Sequence, residues 1–171
     1  MKDLIKQDMK AAGLDANSFA AIAKAYLTRP DFKLGVLYRI YSHWFNKSRF
    51  KHFIAGILWR HAIRCSGCYI SPLSKIKGGL KLCHATGIVV GRGVRLGENA
   101  TLYQHVTLGQ KDEADEQFPI CGDNVTLYAG ACVLGGIKIG DGAIVGANAV
   151  VLQDVPENTK AVGAPARILK N

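Results

Sequence analysis

Of the five histidines in the chain, His84 stands where a regular pattern slips. Aliphatic residues fall six apart at Ile70, Ile76 and Leu82, but the next is Val90, so Cys83-His84-Ala85-Thr86-Gly87-Ile88-Val89 carries two extra residues. An insertion into a regular coil acts as a bulge does in a sheet, re-aiming a side chain out of register. His84 is the expected re-aimed group. An imidazole of ordinary pKa, about 6.5, can take the proton of an alcohol near neutral pH, so the chemistry it offers is general-base catalysis. His105, just before Val106, is the other imidazole of this region and is expected to face outward as a second contributor. Cys65-Ser66-Gly67-Cys68 has the spacing of half a metal site, yet a structural zinc needs about four ligands and no second close pair accompanies it. It reads as two free thiols in a connector. Asp123, Asp141 and Asp154 recur at turn positions and read as solvated turn residues, so no metal is implied.

The elements that must position His84 form the six-residue beat itself. It runs through Ile70, Ile76, Leu82, Val90, Leu96, Leu102 and Leu108, then resumes at Cys121, Leu127, Val133, Ile139, Val145 and Val151. Glycine often follows, as in Val90-Gly91 and Ile139-Gly140. Helices space apolar residues three and four apart, and half-buried strands two apart, so neither explains a sixfold beat. A six-residue unit cannot bury its own apolar face, so units must stack into a solenoid. One aliphatic per unit is expected to point inward at each corner, with Gly taking the tight turn. This predicts a β-helix over residues 69–155, followed by a C-terminal segment over 156–171. Residues 110–119, Gln-Lys-Asp-Glu-Ala-Asp-Glu-Gln-Phe-Pro, break the beat as an acidic loop leaving the coil, and such excursions from rigid scaffolds often carry function.

Residues 1–64 read as a helical cap, since open solenoid ends need covering. Lys2 to Ala12 is amphipathic and ends at Gly13; Ser18 caps Phe19–Leu27, which Arg29-Pro30 breaks. Asp31 is expected to cap Phe32–Phe45, and after the turn at 46–48 a last helix runs from Arg49 to Ile63. In that helix Phe53, Ile54, Ile57, Leu58 and Ala62 form the expected packing stripe, with Lys51, Arg60 and Arg64 elsewhere. A basic amphipathic helix of this kind also suits peripheral contact with an anionic membrane.

The 171 residues carry 22 Lys plus Arg against 13 Asp plus Glu, a net charge of +9 that favours anionic partners without selecting one. No RNA- or DNA-binding motif accompanies the charge, which disfavours nucleic acid. No run approaches the roughly 20 apolar residues of a membrane span, and the start lacks the apolar run of a signal peptide. The five cysteines are an odd number without framework spacing, as in a reducing cytoplasm.

Four segments resemble serine acetyltransferase and its relatives: His84-Ala-Thr-Gly-Ile-Val-Val-Gly91, Val106-Thr-Leu-Gly109, Gly122-Asp-Asn-Val125 and Val155-Pro-Glu-Asn-Thr-Lys-Ala-Val-Gly-Ala-Pro-Ala-Arg167. Asp31 through Phe45, with Tyr38-Arg39-Ile40 and His43-Trp44, resembles the helical region that precedes the coil in those proteins. The resemblance implies a mainly β fold, a left-handed parallel β-helix of hexapeptide repeats after an α-helical N-terminal region, assembled as a homotrimer. It implies acetyl transfer from acetyl-CoA to a hydroxyl, with His84 as general base and backbone amides of the Gly-rich coil stabilising the oxyanion. The pantetheine arm would lie along a groove near Gly109, Ala129, Gly130 and Ala147, with Lys160 and Arg167 meeting the phosphates.

The chain also departs from that family. An Asp precedes the family's catalytic His and another lies just before its first hexad, where this chain has Cys83 and Tyr69. The His of the family's Arg-His-Pro motif falls on Phe118 of Gln117-Phe118-Pro119. Desolvating the ammonium of serine without a carboxylate partner is costly, which argues against serine as acceptor. It also leaves a backbone carbonyl, Tyr103 or a neighbouring subunit to fix the tautomer of His84. Relatives that keep the His but lose the serine-binding set include O-acetyltransferases of capsule and exopolysaccharide synthesis, and Tyr69 and Phe118 suit the apolar face of a sugar. The expectation is therefore acetylation of a saccharide hydroxyl in bacterial surface-polysaccharide synthesis, with Tyr69, Cys83, His105 and Phe118 around the acceptor. The alternatives are a serine acetyltransferase with an altered acceptor site, and a non-catalytic scaffold or membrane-docking subunit.

Overall fold

The computed structural model describes residues 1–16, 18–112, 114 and 116–169. Four helices come first: α1 (Lys2–Ala11), α2 (Phe19–Thr28), α3 (Pro30–Phe45) and α4 (Arg49–Ser66). Short strands follow: β1 (Tyr69–Ile70), β2 (Lys75–Ile76), β3 (Lys81–Leu82), β4 (Val89–Val90), β5 (Arg95–Leu96), β6 (Thr101–Leu102) and β7 (Thr107–Gly109). After the loop come β8 (Ile120–Cys121), β9 (Thr126–Leu127), β10 (Cys132–Leu134), β11 (Lys138–Ile139), β12 (Ile144–Val145), β13 (Val150–Val151), β14 (Lys160–Val162) and β15 (Arg167–Leu169). Every third strand stacks in one sheet, giving three faces: β1-β4-β7-β10-β13, β2-β5-β8-β11, and β3-β6-β9-β12-β14 with β15 at its edge. All pairings are parallel except β14 with β15. The hexapeptide β-helix expected from the beat is the fold observed.

All thirteen residues of the beat are buried. The interior nevertheless differs from the single corner aliphatic expected. Each aliphatic is the second residue of its strand, and a second inward side chain stands two residues before it: Ile88, Val94, Ala100, Val106, Val125, Ala131, Ala143 and Ala149 are all at most 1% exposed. Two inward positions, two residues apart, are what an extended backbone supplies. The corners themselves turn on left-handed residues that include His and Asn, at His84, Asn99, His105, Asn124, Asn148 and Asn158. Gly140 serves coil-to-coil contact instead, since a Cβ there would run into the backbone nitrogen of Glu157 in the next coil. The stack does not end at 155: Val155 bridges Ile139, and β14 continues the third sheet beneath β12.

The helices close the first coil. Tyr38 and Tyr41 of α3 are buried and donate to the carbonyls of Ser74 (3.0 Å) and Ile70 (2.8 Å). Arg39 is 3% exposed and makes a two-pronged ion pair with Asp8 at 2.8 and 2.9 Å. Its guanidinium also donates to Ile76 O and Lys77 O, while Asp8 accepts the Leu80 N–H, so both charges are satisfied. Two helix expectations need correction. Pro30 occupies the first turn of α3 and Arg29 is the residue at its cap, so Asp31 lies inside the helix and its carboxylate is free to reach elsewhere. On α4, Ala55, Gly56 and Ala62 are buried, whereas Phe53 and Ile57 of the expected stripe are exposed along with Phe50. Among the described residues, no helix is long and apolar enough to cross a membrane.

Candidate active site

His84 sits in the turn between the third and first sheets, with its φ at +53° and its side chain exposed. The two extra residues of this turn lift it clear of the coil. Directly beneath, the corresponding turn of the next coil holds His105, also left-handed at φ +58°. The His105 N–H donates to Thr86 O (2.8 Å), and its ring lies over Gly87, where any Cβ would collide with it. The ladder continues downward, Gly130 N–H to Gln104 O and Asn148 N–H to Ala129 O. His84, His105, Ala129, Gly130 and Ala147 therefore share one corner, the imidazoles at the capped end and the small residues below. Gln104 Oε1 on the same corner is buried with no donor among the described residues.

The helical cap completes the head of this corner. Asp31 Oδ1 accepts the backbone N–H of Ala85 at 2.7 Å, so the residue after His84 is tied to α3. Two cavities meet here. One, of about 210 Å³, is lined by Arg29, Asp31, Lys81, Cys83 and His84 among others; the second, of about 530 Å³, by Asp31, Lys33, Cys65, His84 and Thr86. Asp31 and His84 are the residues common to both. Burial pushes the Cys83 thiol up, and the Asp31 charge adds to that rise, so Cys83 beside His84 is a neutral thiol. The Tyr103 ring lies near Cys83 and stacks on Tyr128 with centroids 5.0 Å apart.

The sequence-expected acceptor residues are only partly brought together. Cys83 lines the cavity with His84, and His105 lies one coil below. Tyr69 instead packs on Trp59 of α4, ring centroids 5.3 Å apart. Phe118 covers Gly91 and Gly93 at the next corner, between the first and second sheets, across a sheet face from His84. The expected donor-site residues divide similarly. Gly109 ends β7 at that far corner with open space where a Cβ would go, while Lys160 and Arg167 are exposed on β14 and β15 at the foot of the coil. The turn aspartates form a ladder: Asp123 accepts from Glu98 N–H, Asp141 from Asp123 N–H and Asp154 from Lys138 N–H. Asp31 is a site residue that the sequence does not announce; its one local signal, an acid before an apolar run, is that of a helix cap.

A stack of hexapeptide coils with an exposed imidazole at one corner and glycine and alanine below it is the architecture of hexapeptide-repeat proteins. Residues 118–153 match the model of that family, the bacterial transferase hexapeptide (six repeats). Over 144 residues the chain is 40% identical to a serine acetyltransferase of Helicobacter pylori strain J99, covering 84% of this chain and 83% of the relative. Soybean serine acetyltransferase complexed with serine superposes with a TM-score of 0.86 at 34% identity, covering 98% of this chain and 68% of that one. A serine acetyltransferase in complex with CoA gives 0.82 at 33%, with the same coverages of 98% and 68%. The chain belongs to the serine acetyltransferase family. None of these relatives supports the saccharide acceptor expected from the sequence; their names give serine.

Proposed function

We propose that the chain transfers an acetyl group from acetyl-CoA to the hydroxyl of L-serine, with His84 as general base. The observation that carries this reading is the placement of His84, lifted by its two-residue insertion to the mouth of the cavities in a family whose relatives include serine and CoA complexes. His84 takes the hydroxyl proton as the oxygen attacks the thioester carbonyl. The C–S bond then breaks, and the imidazolium returns its proton to the departing CoA sulfur. The donor's amide-containing arm fits the corner of Ala129, Gly130 and Ala147, where Gln104 Oε1 has a buried acceptor to offer. Arg167 and Lys160 at the foot of the coil suit its phosphates. A homotrimer is part of the reading, since Phe118 and Gly109 lie a sheet's width from His84 within one chain and a neighbouring subunit would bring their counterparts nearer.

A saccharide hydroxyl is the second reading. The neutral thiol of Cys83 beside the base favours it, because an uncharged acceptor needs no partner there. Tyr69, packed on Trp59, and Phe118, a sheet's width from His84, lend it little support within one chain. We place the enzyme in the cytoplasm, and the outward face of α4 supports peripheral contact with an anionic membrane. Phe50, Phe53 and Ile57 are exposed there among Arg49, Lys51, Arg60 and Arg64, and residues 32–97 contain no Asp or Glu at all. Release of CoA thiol from acetyl-CoA tests the acceptor. Turnover with L-serine and none with a panel of oligosaccharides is the expected result; turnover with a glycan alone would replace the first reading with the second.

A further inference from the structure

The geometry points to Asp31 as the carboxylate that receives the ammonium group of an amino-acid acceptor, an inference that rests on the serine reading and deepens it. The residues flanking the base offer no such group: Cys83 precedes it, and the chain has no acidic side chain from 32 to 97. The carboxylate comes from the cap instead. Asp31 projects from the first turn of α3 and is clamped by one oxygen to the Ala85 N–H, next to His84. Its other oxygen has no partner among the described residues, and Asp31 is the one side chain besides His84 that lines both cavities. Asp8, the other carboxylate of the smaller cavity, is already committed to Arg39 and the Leu80 N–H.

The remaining charges around the cavities are cationic: Arg29 and Lys81 in the smaller, Lys33 in the larger. A free carboxylate facing cations across about 210 Å³ matches a small zwitterion, ammonium toward Asp31 and carboxylate toward Arg29 or Lys81, with its side-chain hydroxyl left for His84. A neutral sugar would use neither sign. The half-buried position strengthens the pairing relative to a surface one.

The test compares wild type, Asp31→Asn and Asp31→Ala by CoA thiol release, using L-serine and 3-hydroxypropionate, which is serine without its amine. Asn keeps an oxygen for the Ala85 N–H but no charge; Ala removes both. The expected result is a KM for serine raised about 10–100-fold in Asp31→Asn, the size of a lost charged hydrogen bond, with kcat and the KM for acetyl-CoA little changed. The preference of wild type for serine over 3-hydroxypropionate should vanish with it. An unchanged serine KM in Asp31→Asn, including the case where only Asp31→Ala is impaired, would make Asp31 a loop anchor and overturn this inference while leaving the serine reading intact. A wild type that acetylates oligosaccharides and not serine would overturn both.

Discussion

The coil and the helical cap of this chain reach order by opposite means. In the coil most turns repeat one solution: inward residues two apart, a left-handed or glycine corner, and a backbone ladder to the turns above and below. Each unit is therefore held by its neighbours, and the structure is close to one-dimensional. The cap has no repeat. Phe19 and Leu27 of α2 stand 85% and 81% exposed, and Phe50 of α4 73%. Its grip on the coil runs through a few singular contacts of α3, above all the buried Arg39–Asp8 pair. The candidate site lies where the two meet, with His84 from the coil and Asp31 from the cap. A regular scaffold supplies the placement, and an irregular neighbour supplies the group that the repeat could not encode.

That contrast can be broken first at the pair. Asp8→Ala leaves the guanidinium buried and uncompensated, so a loss of about 3–5 kcal/mol is expected in urea unfolding. The helical signal should melt ahead of the sheet signal; a loss below about 1 kcal/mol would show that the cap does not depend on this tether. On the outer face of α4 the expectation is the reverse. Phe53→Ser should shift stability by no more than about 0.5 kcal/mol, because its side chain packs on little. The same variant should co-sediment less with vesicles rich in phosphatidylglycerol, while neither protein binds phosphatidylcholine alone. Equal sedimentation of both proteins would assign the face to something other than a membrane.

The coil was legible because its period is written in consecutive residues: a sixfold beat has one stacking solution, and the slip between Leu82 and Val90 marked His84. The second inward set escaped notice because its members are mostly Ala and Val, too small and too common to stand out as a pattern. The cap was legible as helices but not as a docked body. Asp8 and Arg39 are 31 residues apart, and nothing local to either announces the other. Asp31 was misread for a similar reason. Its partner Ala85 is 54 residues away, and Pro30 starts the helix two residues earlier than an Asp31 cap would. Tyr69 and Phe118 are expected at the acceptor site from their places along the chain, but Tyr69 packs on Trp59 and Phe118 sits at the far corner of the first sheet. Linear correspondence carries over the repeat faithfully and the site between faces poorly.

The central claim is that His84, held out from the coil at the junction with the cap, is the base of an acetyl transfer. The direct measurement is CoA thiol release by His84→Ala against wild type, with acetyl-CoA binding followed separately by calorimetry. The account predicts a fall in kcat of about 10² or more at unchanged acetyl-CoA affinity. Turnover within a few-fold of wild type would contradict it.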